Sequence, residues 1–523
     1  MNKLVNHIRT TYTPLQIIIG LGILFRLLAV IFCKGFGFFD DHFLIIESSQ
    51  SWVDGFDYNN WLPSPTNPDR QPQGHPLLYP GIHYFLFYFL KLIGLNDPQG
   101  KMFVVRLLHA AYSLLIISYG YKITEKLSNK KVAIYASTFL SLLWFMPFLS
   151  VRNLAEWVCV PPMLIATWLM ISNSKIRNYF LAGFWLGIAF SFRFQSIFCA
   201  AGIGIALLIN KTSLKNILVC IGGFLIVVLV TEGVVDLVLW KRPFAEFWAY
   251  VEYNIDNAGA YGTNIWHMYF DLILGLLIPP LSFLLFAGTL VSWKKIPILF
   301  WPVAFYLAFH TYFPNKQERF VLTVFPYIII IGTIGMFDLY EKYQHKVNLK
   351  LFKLSKTFVI SINLILLVIL SVSYSKKNRV EAMYYLYKQP DVRTVMIEDG
   401  NKENDFTMPP LFYLGKWYSV IGITKQFPAD SALFYYDQTA DNMKANYVVF
   451  WQAEHLEERV KAFNHYFPGT TYVATIEPSL IDKTLHWMNP FGNDNQTTYI
   501  YKIPPEAESY RLQRHDTLQD KQK

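Results

Sequence analysis

Apolar runs long enough to cross the ~30 Å hydrocarbon core of a bilayer recur along this chain, and they constrain its fold more than any other feature. They lie near residues 14–34, 103–121, 132–150, 156–173, 178–192, 194–210, 215–239, 267–292, 296–313, 320–338 and 357–374. In lipid every backbone polar group has to be paired internally, so runs of this kind fold as membrane helices. A hydrophobic content of 53% over 523 residues agrees with a polytopic membrane protein and excludes an ordinary soluble domain. The first run, from Leu15 to Phe32, is long for a signal-peptide core and lacks a convincing small-residue cleavage site, so it is expected to stay as the first helix. Runs 178–192 and 194–210 are short and parted only by the Arg193 region, which suits tilted or half-buried helices.

The net charge of +9 is a topology signal, not a nucleic-acid signal, because the lysines and arginines fall mainly in short loops. The run 76–95 is ambiguous between a span and an interfacial helix. If it does not cross, the basic loops 122–131, 172–178, 210–216, 293–295 and 341–356 all share the cytoplasmic side with Lys3 and Arg9. If it crosses, each later loop flips and the basic loops face outward. The first arrangement is expected; it gives about 11 spans and an extracytoplasmic C-terminal region. Four cysteines, at positions 33, 159, 199 and 220, lie in or beside apolar runs with no ligand spacing. Neither a metal site, nor a disulfide framework, nor a cofactor is indicated.

With this topology, polar knots at helix ends gather on the outer side. They are Asp40-Asp41-His42, Arg152-Asn153 with Glu156, Arg193 with Gln195, the stretch Tyr261 to His267, and Asn315-Lys316-Gln317-Glu318-Arg319-Phe320. A single knot is as well explained by helix capping, a solvated acidic loop or a snorkelling arginine. Five on one side favour a functional face, since charge at the membrane boundary is costly. The loop 43–102 is long and rich in Trp, Pro and Gly, and carries Glu47 and His75. A carboxylate here suits a general base taking a proton from an acceptor hydroxyl. The arginines and Lys316 suit a phosphate leaving group.

These residues resemble a known family, the Alg9-like mannosyltransferases of glycosyltransferase family 22. Asp40-Asp41-His42-Phe43 with Glu47 resembles the family's Asp-Glu-His-Phe-Gln element. Arg152-Asn153-Leu154-Ala155-Glu156 resembles its Arg-x-x-Ser-Asn-x-x-Glu segment in compressed form, and Arg193-Phe194-Gln195 its Arg-Phe-Gln segment. Val234-Val235-Asp236, leading to Trp240-Lys241-Arg242-Pro243-Phe244, is similar to its Val-Asp-Ser…Tyr-Gly-Lys stretch. The stretch Tyr261-Gly262-Thr263-Asn264-Ile265-Trp266-His267-Met268-Tyr269 is similar to its Tyr-Gly-x-His-Pro-Trp-His-Trp-Tyr element, and Asn315 to Phe320 to its His-Lys-Glu-x-Arg-Phe motif. Asp41, Asn264-Ile265, Asn315 and the shifted acid Glu318 depart from the family pattern and mark a diverged branch.

The resemblance implies a GT-C glycosyltransferase fold and inverting transfer of a sugar, mannose first, from a polyprenyl- or dolichyl-phosphate donor. The acceptor implied is a lipid-linked glycan or glycolipid; the other partners are membrane lipids, and no nucleic acid is expected. Asp40 is the implied base, with Asp41 as its alternative. Lys316, Arg319, Arg193, His267 and Tyr261 are expected at the donor phosphate. His42, Glu47, His75, Arg152, Glu156, Gln195, Trp266 and Glu318 are expected around the acceptor or sugar. Rival readings are a transferase using another sugar or a protein acceptor, and a lipid or solute transporter; a transporter places its ionisable groups near the midplane.

The C-terminal region changes character. Strands are expected at 392–398, 447–451, 472–476 and 498–503, with helices at 456–467 and 376–388. The expected organisation is a catalytic membrane domain over 1–374, a small extracytoplasmic α/β domain over 375–504 and a polar tail over 505–523. The family's endoplasmic-reticulum members have no such outer domain, which points to a bacterial inner membrane with a periplasmic site. An endoplasmic-reticulum membrane with a lumenal site is the alternative.

Overall fold

The structure is a computed structural model and describes residues 12–260 and 262–504. Helix α1 (Pro14–Phe32) is followed by α2 (Phe39–His42), a π turn over Phe43–Glu47 and α3 (Ser48–Val53). Next come α4 (Leu78–Leu92), α5 (Pro98–Leu127), α6 (Lys130–Leu142), α7 (Met146–Leu149), α8 (Ala155–Val158), α9 (Val160–Ser172), α10 (Ile176–Phe192) and α11 (Ser196–Ile209). Helix α12 (Leu214–Val228) runs through a second π turn at Leu229–Val234 into α13 (Val235–Trp240). Helices α14 (Ala245–Asp256), α15 (Met268–Leu276), α16 (Leu281–Val291) and α17 (Pro297–Tyr312) lead to a 3₁₀ segment, Glu318–Val324, that opens α18 (Phe325–Tyr343). Helix α19 (Leu349–Ser371) is the last before the C-terminal region. That region contains α20 (Lys377–Tyr387), β1 (Thr394–Glu398), α21 (Leu411–Leu414), β2 (Gly422–Ile423), α22 (Ala429–Gln438), β3 (Ala445–Trp451), α23 (Leu456–Tyr466), β4 (Thr471–Ile476), α24 (Leu480–Met488) and β5 (Thr498–Lys502).

Among the described residues six continuous helical stretches are long and apolar enough to cross a membrane. They are Pro14–Phe32, Pro98–Leu127, Ala155–Ser172, Leu214–Trp240, Glu318–Lys346 and Leu349–Ser371, so the protein is a multi-pass membrane protein. Two of the other apolar runs are broken. The run 132–150 is interrupted between α6 and α7, and 267–292 is cut at Pro279-Pro280 between α15 and α16. Proline supplies no N–H to a ladder, so a helix that meets two in a row has to end. Helix α4 has 15 residues, which at ~1.5 Å each falls short of the hydrocarbon core.

The chain divides into two compact units. The first contains the chain up to Cys33, residues 60–83 and residues 103–372. Its helices meet through small residues, as expected where lipid gives no hydrophobic drive to association. A Cβ on Gly183 of α10 would lie 1.8 Å from the Cys220 carbonyl oxygen of α12, and one on Gly223 would lie 2.2 Å from that of Phe180. The intramembrane Arg26 is an internal clasp. Its Nε donates to Ser113 Oγ at 2.8 Å and its Nη1 to the Ser141 carbonyl at 3.3 Å, tying α1 to α5 and α6.

The second unit contains residues 34–59, 84–102 and the chain from Ser373 onward. Its five-stranded sheet has the order β2-β1-β3-β5-β4. Strand β1 runs parallel to β2 and β3, while β5 is antiparallel to β3 and β4. Strands β1 and β3 are buried along their whole length and are apolar apart from Thr394, Glu398 and Asn446, close to the near-continuous apolar runs of inner parallel strands. Phe450, Phe463 and Phe467 fill the core beneath α23. The mixed α/β fold is the one expected. Strand β2 and helices α22 and α24 escaped the sequence reading: β2 is two residues long, too short for any alternation to show.

Candidate functional site

In the first unit three expected site residues come together. Glu156 of α8 lies with Oε1 2.8 Å from Arg193 Nη1 and 3.4 Å from Arg319 Nε. Arg193 follows the last turn of α10 with extended backbone. Both guanidinium groups lie over the Phe320 ring, at 5.0 and 5.6 Å from its centroid. Arg319 Nε also donates to Gln317 Oε1 at 2.9 Å. Thr323 Oγ1 donates to the Glu156 carbonyl at 3.0 Å, fixing α8 against the 3₁₀ segment. Arg193 is only 9% exposed, yet its Nε and Nη2 make no hydrogen bond among the described residues. Two arginines therefore share one carboxylate, and buried donors remain. The open Nε and Nη2 donors of Arg193 suit an anionic oxygen.

The neighbouring motifs are joined through backbone. The Lys316 N–H donates to the Gly262 carbonyl at 3.3 Å and Thr263 bridges Asn315, so the element around Gly262 is laid against the Asn315–Phe320 motif. Lys316 is buried and its Nζ donates to the Phe313 carbonyl at 2.8 Å. His267 Nδ1 is 2.6 Å from Asp271 Oδ2, one turn along α15. Trp266 is 67% exposed, and Glu318 is exposed as well. Arg152 is buried over the Phe148 ring at 4.4 Å, and Gln195 is half-buried before α11. Tyr261 lies outside the described residues.

His75 belongs to an anchoring arrangement. Its ring stacks on Trp61 at 4.0 Å. The backbone N–H groups of Gly74 and His75 donate to Glu246 Oε2 at 2.7 and 3.1 Å, and the Glu246 N–H donates to Asp236 Oδ2 at 2.9 Å. Burial pushes the Glu246 carboxyl up to about 7, against the pull of the His75 and Gly74 N–H groups. Glu246 was not singled out in the sequence: it stands in a polar, aromatic helix with no motif around it. Nor were Tyr250 and Tyr306, which interact electrostatically with Arg193.

In the second unit the acid pair opens α2. Asp41 is buried, and its Oδ2 accepts the Gly37 N–H at 3.1 Å. Asp40 is half-buried. The two adjacent carboxylates differ in their surroundings: Asp41 closes the turn from Gly37, while Asp40 keeps contact with solvent. His42 is sealed between Phe36 and Tyr413, stacked on rings at 4.5 and 5.4 Å. Glu47 is fully buried, with Oε1 3.3 Å from His42 Nε2 and accepting the Phe412 N–H at 3.0 Å. Among the described residues no group of three or more His, Cys, Asp or Glu is arranged to hold a metal.

The profile of the Alg9-like mannosyltransferase family matches residues 17–418. Mannosyltransferase APTG1 of Arabidopsis thaliana is 23% identical over 56% of this chain and 53% of its own length. Human GPI alpha-1,2-mannosyltransferase 3 is 22% identical over 56% of this chain and 52% of its own. The chain spans about half the length of these curated relatives. Among solved structures, ArnT from Cupriavidus metallidurans bound to undecaprenyl phosphate superimposes with a TM-score of 0.58 at 10% identity, covering 94% of this chain and 98% of that one. At that identity the likeness speaks for the fold, a GT-C glycosyltransferase fold. The family match runs through the acid pair, the Glu156–Arg193–Arg319 cluster and the Asn315–Phe320 motif alike, and the chain belongs to the Alg9-like mannosyltransferase family.

Proposed function

We propose that the protein is a membrane mannosyltransferase that moves mannose from a polyprenyl- or dolichyl-phosphate donor to a lipid-linked glycan or glycolipid, with inversion, on the extracytoplasmic face. The observation that carries this reading is the buried cationic cluster of Arg193 and Arg319 around a single carboxylate, in a chain of this family. Arg193, Arg319 and Lys316 take up the charge that develops on the departing lipid phosphate. Asp40 takes the proton of the attacking hydroxyl. A lipid-phosphate donor is supported by the undecaprenyl phosphate bound to ArnT, and a glycolipid acceptor by the name of the human relative. The decisive experiment supplies purified protein with short-chain lipid-phosphate mannose and a glycolipid extract, and follows both the release of lipid phosphate and the new glycan by mass spectrometry. Absence of donor turnover would remove the reading.

Arg319→Lys tests the cluster directly. The charge remains but the two-pronged guanidinium is lost, so donor affinity should fall while the melting temperature changes little. Unchanged donor affinity together with a lower melting temperature would leave Arg319 only as a tie between helices. For the face of the membrane, a reporter fused after Lys523 should be active on the extracytoplasmic side, as the basic loops require. Activity confined to the cytoplasm would overturn the proposed orientation.

A further inference from the structure

The segment that carries the acid pair belongs, by its contacts, to the C-terminal fold. Asp482 of α24 accepts the backbone N–H groups of Lys376 and Lys377 at 2.9 and 3.1 Å, which fixes the start of α20. The Lys376 ammonium then reaches the carbonyls of Phe36 and Gly37, and lies 4.9 Å from the centre of the Phe36 ring. Gly37 in turn donates its N–H to Asp41. An unbroken chain of polar contacts thus runs from α24 to the residue next to Asp40. Gly35, with φ of +74°, bridges Ser375 so closely that a Cβ would lie 1.9 Å from the Ser375 carbonyl oxygen.

Arg379, one turn further along α20, holds the other side. Its guanidinium lies 5.4 Å from the Phe36 ring centre, donates to the Met408 carbonyl, and interacts with the carboxylates of Asp399, Asp494 and Glu47. Asp399 follows the last residue of β1, and Asp494 accepts from Gln452, just beyond β3. The carboxyl ends of adjoining parallel strands are where α/β sheets commonly receive ligands. Here that edge carries a charge network reaching the chain's own acid segment through Arg379. Burial, then the Arg379 and Lys376 cations, keep the His42 imidazole well below its ordinary range; burial lifts the Glu47 carboxyl well above its own. His42 and Glu47 are fully enclosed inside this mount, with Nε2 and Oε1 3.3 Å apart.

We propose that the C-terminal α/β fold is the mount that positions the acid segment for catalysis, with Arg379 and Lys376 as its positioning residues and His42 and Glu47 as the wedge between them. The inference rests on the reading of Asp40 as the base. A misplacement of about 1 Å at a reacting group can cost on the order of 10²-fold in rate, so loss of the mount acts on turnover.

The test uses the full-length protein in lipid nanodiscs. Arg379→Gln is expected to lower kcat by about 10²-fold with the donor KM nearly unchanged. Amide hydrogen exchange should rise in peptides covering residues 36–53, and Arg379→Lys should recover part of both. Should Arg379→Gln fail to fold, Lys376→Met carries the same test. Normal kcat in a folded Arg379→Gln, or lost activity with exchange at 36–53 unchanged, overturns the mount. Failure of the base reading looks different: Asp40→Asn would then turn over normally, while exchange at 36–53 in Arg379→Gln would still report whether the segment is held.

Discussion

Asp40→Asn is expected to cut sugar transfer by about 10²–10⁴-fold while the protein stays folded. Asparagine keeps the size and one acceptor oxygen of aspartate but is a far weaker base. Asp40 is half-buried at the opening of α2, so this near-isosteric exchange gives little reason to unfold. The same change at Asp41 should act differently. Asp41 accepts the Gly37 N–H through Oδ2, and an asparagine oxygen can still accept it. A moderate loss is expected there, through a loosened turn. Turnover of lipid-phosphate mannose and a thermal melt, both on purified variants, decide the matter. A nearly active Asp40→Asn beside a dead Asp41→Asn would exchange the two roles; full activity in both would place the base elsewhere.

What was legible in the sequence follows from how each signal is generated. Burial on both sides makes the cores of β1 and β3 apolar, so Val395–Ile397 and Tyr447–Trp451 stand out in a polar region. Charged residues at helix ends stand out for the opposite reason, and Arg193, Glu156 and Arg319 were visible one by one. That Arg193 joins Arg319 on the Glu156 carboxylate was not, because positions 156, 193 and 319 are brought together only by the packing of three separate helical segments. Glu246 was invisible. Its task is to receive two backbone N–H groups from the Gly74–His75 turn, and an interaction with backbone leaves no partner side chain to read. The breaks in the apolar runs were half visible: Pro279-Pro280 announces one, whereas the π turn at Leu229–Val234 sits in a sequence that reads as continuous helix.

Glu156 is the residue whose removal should have the largest effect on the fold and the most informative effect on binding. Its carboxylate contacts both Arg193 and Arg319, and both guanidinium groups are buried. Glu156→Ala removes the carboxylate that both guanidinium groups contact, and breaking a buried pair in this way typically costs about 3–5 kcal/mol. Glu156→Gln keeps the shape and the Thr323 contact to the backbone carbonyl, and removes only the charge. If the cluster exists to hold a phosphate, an anion bound there replaces the missing carboxylate, and a ligand that binds only the folded state raises its stability. Short-chain lipid phosphate should then raise the melting temperature of Glu156→Gln by more than that of the unmodified protein. A cluster that merely ties helices together predicts a destabilised variant that lipid phosphate does not rescue. Thermal melts of both proteins over a titration of lipid phosphate separate the two, and equal shifts would remove Arg193 and Arg319 from the donor site.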